Sequence, residues 1–116
     1  MMPNLVVEYA DPVAERVNVA GLLDDLHRVM VDSDLFEPDA VKTRGYPCHH
    51  WLIGDDGTRQ TFIHLELSLL AGRTLEQKKP LVQALMAELE KHCGDINSLT
   101  IDVRDMDTNA FLKVSC

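Results

Sequence analysis

A chain of 116 residues with 46% hydrophobic and 26% charged content has the size and composition of one globular domain, residues 1–116. Its formal net charge of -8 and lack of a basic patch argue against nucleic-acid binding, and no stretch approaches the ~20 apolar residues of a membrane span. The start has no basic and apolar secretory signal, and three cysteines without a Cys-x-x-Cys spacing fit a reducing cytoplasm better than a disulfide framework or a zinc knuckle.

Pro3 stands just ahead of Leu5-Val6-Val7-Glu8-Tyr9, a short β-branched run that reads as a buried strand. Residues 11–16 are polar, contain Pro12 and read as a loop. From Asn18, a plausible N-cap, the pattern turns helical. Val19, Leu22, Leu23, Leu26 and Met30 fall on one helical face. Residues 32–39 read as a loop. Residues 40–46 and 50–53 are short strand candidates separated by Pro47, and Gly54-Asp55-Asp56-Gly57 is a turn.

Residues 61–70 form the clearest strand. Ile63, Leu65, Leu67 and Leu69 alternate with His64, Glu66 and Ser68. A tight Ala71-Gly72-Arg73 turn leads to Thr74-Leu75-Glu76-Gln77, a capping-box pattern. The helix that follows runs to about Cys93 with Gly94 as its stop. Pro80 lies past the first turn, which predicts a kink or a late helix start. Leu99, Ile101 and Val103 suggest another strand, and residues 109–114 a last short one. The two halves look alike. The expected fold is α+β: a duplicated β-α-β unit with two helices on one face of a mixed sheet.

Two places carry candidate chemistry. Inside a chain the Pro3 nitrogen is an amide without basicity. At a processed terminus it is a secondary amine, and an α-amino group titrates near ~7.7–8.0. An initiator methionine is removed readily before proline and not before a second methionine, so Met2 is the expected natural start and Met1 would leave Pro3 masked. Arg73 sits in a glycine turn beside a helix N-terminus, where backbone N–H groups favour anions and a guanidinium grips a carboxylate with two hydrogen bonds. The adjacent His49 and His50, beside Cys48, point to opposite sides of a strand and make a poor metal pair. His64, His92 and Trp51 read as structural or interface residues.

Pro3, Leu35-Phe36 through Val41-Lys42-Thr43-Arg44, Phe62-Ile63-His64 and Gly72-Arg73-Thr74-Leu75-Glu76-Gln77-Lys78 together resemble the tautomerase superfamily. Within it, their order is most similar to that of the 5-carboxymethyl-2-hydroxymuconate Δ-isomerases. The resemblance implies a homotrimer of β-α-β repeats with active sites near subunit contacts and no cofactor or metal. It implies enol–keto conversion of a small anionic, carboxylated dienol in aromatic compound catabolism. Pro3 would shuttle the proton, and Arg73 would bind and polarise the substrate. A family arginine falls on Lys42, and Arg44 matches the other arginine of that segment. On a strand the two share a face, and either or both take the second cationic role. The competing expectation is a catalytically silent trimeric relative, a binding or structural protein with Pro3 blocked; Lys42 and the Met1-Met2 start favour it. A tautomerase acting on another α-keto acid is a third.

Overall fold

Leu5 and Val7 alternate with Asn4, Val6 and Glu8 along strand β1 (Asn4–Ala10), so one side of the strand is apolar and buried. The structure, a computed structural model, describes residues 3–114. A 3-10 turn, Asp11–Glu15, buries Val13. Helix α1 (Val19–Asp32) starts at Asn18, whose side chain accepts the Gly21 N–H at 3.1 Å. Its Leu22, Leu26 and Met30 enter the core. A second 3-10 turn, Pro38–Ala40, leads into strand β2 (Lys42–Cys48). Strand β3 (Phe62–Leu70) buries every second residue, as its alternation predicts. Helix α2 (Leu75–His92) buries Leu81, Leu85 and Leu89, and strand β4 (Ser98–Met106) follows.

The strand order is β2-β1-β3-β4. β1 pairs parallel with β2, β3 pairs parallel with β4, and β1 and β3 meet antiparallel. Each parallel pair is bridged by one helix, the connection such a pair requires. The halves are thus two β-α-β units joined side by side. Both helices contribute to a single core with Leu5, Val7, Ile63, Leu65, Leu67 and Leu69. Among the described residues, no helix covers the opposite face of the sheet, which carries Asn4, Val6, Glu8, His64 and Glu66. Leu65 is fully buried on a central strand. Leu65→Ala therefore lowers unfolding free energy by about 2–5 kcal/mol in urea titrations, and a loss under about 1 kcal/mol would contradict this packing.

Five sequence expectations need correction. The strand candidate at residues 40–46 is shifted to 42–48 and includes Pro47. β2 is an edge strand, where the missing proline N–H costs no ladder bond. Residues 50–53 are not a strand; Trp51 instead packs against the core and its Nε1 donates to the Gln60 carbonyl at 2.9 Å. Residues 109–114 hold the end of a 3-10 turn, Thr108–Ala110, and no strand among the described residues. Of the kink or late start expected at Pro80, the late start does not occur: helix α2 begins at Leu75 with Pro80 inside it. Its capping box is complete: the Gln77 N–H donates to Thr74 Oγ1, and the Thr74 N–H to Gln77 Oε1. The helix leaves at Cys93 with φ -129, so Gly94 is not used for a left-handed cap.

Candidate active site

Pro3 leads into β1 and is buried, in step with Leu5 and Val7. Its carbonyl accepts the Lys42 N–H at 3.1 Å, which ties it to the start of β2. Asn4 pairs with Ser68, so the last residues of β3 and the turn beyond them lie at this same end of the sheet. Pro3, Lys42 and Arg73 are gathered there. Arg44 lies two residues further along β2, opposite Val6.

The two sides of the sheet divide these residues. Thr43 and Gly45 face α1. His27 Nδ1 and Thr43 Oγ1 share a hydrogen bond at 2.8 Å, and a Cβ on Gly45 would come within 3.2 Å of Leu23 Cδ1. A side chain at residue 45 would need Leu23 to give by a few tenths of an ångström. Lys42 and Arg44 therefore share the uncovered face, as their spacing predicts. Arg44 Nη1 donates to Asn4 Oδ1 there at 3.2 Å. Within one chain, Pro3 reaches Lys42 through the backbone and not through the side chain. The same uncovered face carries Arg104, whose Nε donates to Asp102 Oδ2 at 2.8 Å with Glu66 Oε1 at 4.0 Å. The bond to Asp102, and then the charge of Glu66, hold the Arg104 guanidinium protonated above its ordinary range.

Gly72 has φ 126, a conformation that side-chain-bearing residues rarely adopt. That turn aims Arg73 back over the core edge. Its Nη2 donates to the Leu35 carbonyl at 2.8 Å and its Nη1 to the Leu70 carbonyl at 3.4 Å. Its Cζ stands 4.7 Å from the centroid of the Phe36 ring, a cation–π contact. Five N–H donors belong to a guanidinium. The others have no protein partner among the described residues and remain available to an anion at the N-terminus of α2.

Phe36 and the Leu35 carbonyl are site residues whose contact with Arg73 sequence spacing does not reveal. A cleft of about 600 Å³ between α1 and α2 reaches Leu35, and a smaller one of about 450 Å³ lies between α2 and β4, but Pro3, Lys42, Arg44 and Arg73 line neither. A single chain thus offers the four candidates no cavity of their own in either cleft. The remaining candidates are locally satisfied. His49 Nδ1 meets Asp11 Oδ2 at 2.6 Å, and His64 Nδ1 meets Thr100 Oγ1 at 2.6 Å. Burial, with Asp95 adding to it, pushes the Cys93 thiol up to about 11, which leaves it protonated and unreactive at neutral pH.

A family model described as 5-carboxymethyl-2-hydroxymuconate isomerase matches residues 3–113. The chain belongs to this family. The match includes all four candidates, Pro3, Lys42, Arg44 and Arg73. The crystal structure of a 5-carboxymethyl-2-hydroxymuconate isomerase from Deinococcus radiodurans R1 is similar to this chain, with a TM-score of 0.89 and 27% identity. That similarity covers 99% of this chain and 90% of the other. The 5-carboxymethyl-2-hydroxymuconate Delta-isomerase of Escherichia coli is 23% identical over 91 residues, 78% of this chain and 72% of the relative. A fused 4-OT described as a symmetric trimer shares the fold alone, with a TM-score of 0.73 and 13% identity over 93% of this chain and 91% of that one. Membership places the chain among the isomerases of the tautomerase superfamily. No helix of the described residues is long and apolar enough to cross a membrane.

Proposed function

We propose that this chain, as one domain over residues 1–116, catalyses enol–keto tautomerisation of a carboxylated, hydroxymuconate-type dienol in aromatic compound catabolism, in the cytoplasm. The family match over residues 3–113, which begins at the proline itself, carries this reading. With Pro3 as the terminus, its nitrogen takes the proton from the enol hydroxyl. The O–H electron pair becomes the carbonyl, the double bond shifts, and the ammonium returns a proton to carbon. One O–H bond breaks and one C–H bond forms, with no net proton consumed. A base is most efficient with a pKa near the working pH. Nearby cations favour the neutral amine.

Arg73 binds and polarises a substrate carboxylate or carbonyl with the N–H groups its backbone contacts leave over. Lys42 and Arg44 hold a second anionic group. Lysine keeps the charge of the family's arginine and loses its planar fork. One cation–carboxylate contact is worth at most about 4 kcal/mol at 4 Å with an effective dielectric near 20. Two or three such contacts offset the far field of a protein with net charge -8.

The working unit in this proposal is a homotrimer. Three observations support it. One face of the sheet has no covering layer in a single chain. Tyr46, Leu112 and Val114 are 51%, 89% and 84% exposed. Pro3 and the Lys42–Arg44 pair lie on different sides of one sheet, so a second chain is needed to bring a cationic face to a proline. Light scattering at micromolar concentration reads a trimer mass; a monomer contradicts it. Ketonisation of the dienol above the buffer rate tests the activity. The silent-relative reading, favoured by Lys42, predicts the buffer rate even with the Pro3 amine exposed. The Met1-Met2 segment it also invokes lies outside the described residues.

A further inference from the structure

Asp25 on α1 and Glu88 and His92 on α2 converge on one point between the helices, well away from Pro3, Lys42, Arg44 and Arg73. Glu88 and His92 are one helical turn apart and share a face. His92 Nε2 lies 2.8 Å from Asp25 Oδ2 and 3.9 Å from Glu88 Oε2. One ligand atom from each of the three lies within 4.8 Å of the other two. The His92 and Glu88 side chains are 22% and 21% exposed, and that of Asp25 is 53% exposed.

One hydrogen bond does not join all three groups. A single imidazole N–H at Nε2 serves Asp25, and at 3.9 Å it does not reach Glu88. The other oxygen of Glu88 takes Lys91 Nζ at 3.3 Å. A divalent ion serves all three at once. Zinc binds imidazole nitrogen and carboxylate oxygen at about 2.0–2.2 Å, which sets tetrahedral ligand atoms about 3.4 Å apart. The observed separations bracket that value, and small side-chain rotations close the difference. One nitrogen with two carboxylates suits zinc or manganese, whereas magnesium prefers an all-oxygen, largely hydrated shell.

We propose that Asp25, Glu88 and His92 form a binding site for a divalent transition-metal ion, zinc above all, which clamps α1 to α2. Asp25 and Glu88 also line the 600 Å³ cleft between the helices, so a fourth ligand has a route to the ion. Asp32 of α1 and Glu76 of α2, which line the same cleft, add negative potential, with Arg28 opposing them. The site is independent of the proposed isomerase chemistry, and none of its ligands takes part in that reaction.

The test is calorimetric titration of chelator-stripped protein with zinc, and separately with magnesium, paired with thermal melting. The wild-type chain binds zinc with a melting temperature raised by at least about 5 °C at a hundredfold excess over Kd. His92→Gln and Asp25→Asn each weaken this binding at least tenfold and abolish the shift. Two variants guard against one failing to fold. Absence of zinc binding, zinc affinity in either variant equal to that of the wild-type chain, or an equal response to magnesium would overturn the proposal.

Discussion

Pro3→Ala lowers the ketonisation rate by about 100-fold or more in protein whose residue 3 is the terminus. Alanine there still presents an α-amino group of similar basicity. The variant therefore tests the ring and its placement as well as the base. Proline holds φ near -65°, which fixes the nitrogen relative to β1. A primary amine on a freer backbone loses that orientation, and orientation accounts for much of the advantage of a bound catalytic group. Pro3 is buried, so circular dichroism and light scattering must show an intact fold and assembly beside the rate. An unchanged rate removes Pro3 from the chemistry.

Arg73→Ala has the other large effect, a loss of about 100- to 1,000-fold in kcat/KM, the scale of removing one donor to developing negative charge. This residue has two jobs, and the measurements separate them. Its bonds to the Leu35 and Leu70 carbonyls and its stacking on Phe36 are structural. Their loss appears in the melting temperature. Contact with the substrate appears in kcat/KM measured well below that temperature. Arg73→Lys keeps the charge and gives up the fork, so it restores part of the binding and little of the rate. A variant with normal kinetics and a lowered melting temperature would make Arg73 a strut and nothing more.

Much of this molecule is legible from local pattern. The alternation of Ile63, Leu65, Leu67 and Leu69 fixes β3 and its buried side, and the Val19–Met30 spacing with Asn18 fixes α1. Both signals are strong because one face of each element is apolar and the other is not. β2 has no such contrast. It is an edge strand with Thr43 and Gly45 on its covered side, and Pro47 hides its end. The site is legible in a similar, partial way. A common face for Lys42 and Arg44 follows from the period of a strand. Which face it is follows only from the close approach of α1 over Gly45. Arg73 stacks on Phe36, and His92 meets Asp25 across 67 residues of sequence. Such pairings are products of tertiary packing, and no local spacing encodes them.

In the proposed reaction a free Pro3 amine is the proton shuttle. The direct measurement pairs intact mass with a ketonisation assay on two forms of the protein, one beginning at Pro3 and one retaining methionine before it. The Pro3-terminal form is expected to ketonise the dienol well above the buffer rate and the methionine-bearing form at the buffer rate. Equal rates in the two forms, or a Pro3-terminal form no faster than buffer, would contradict that role of Pro3.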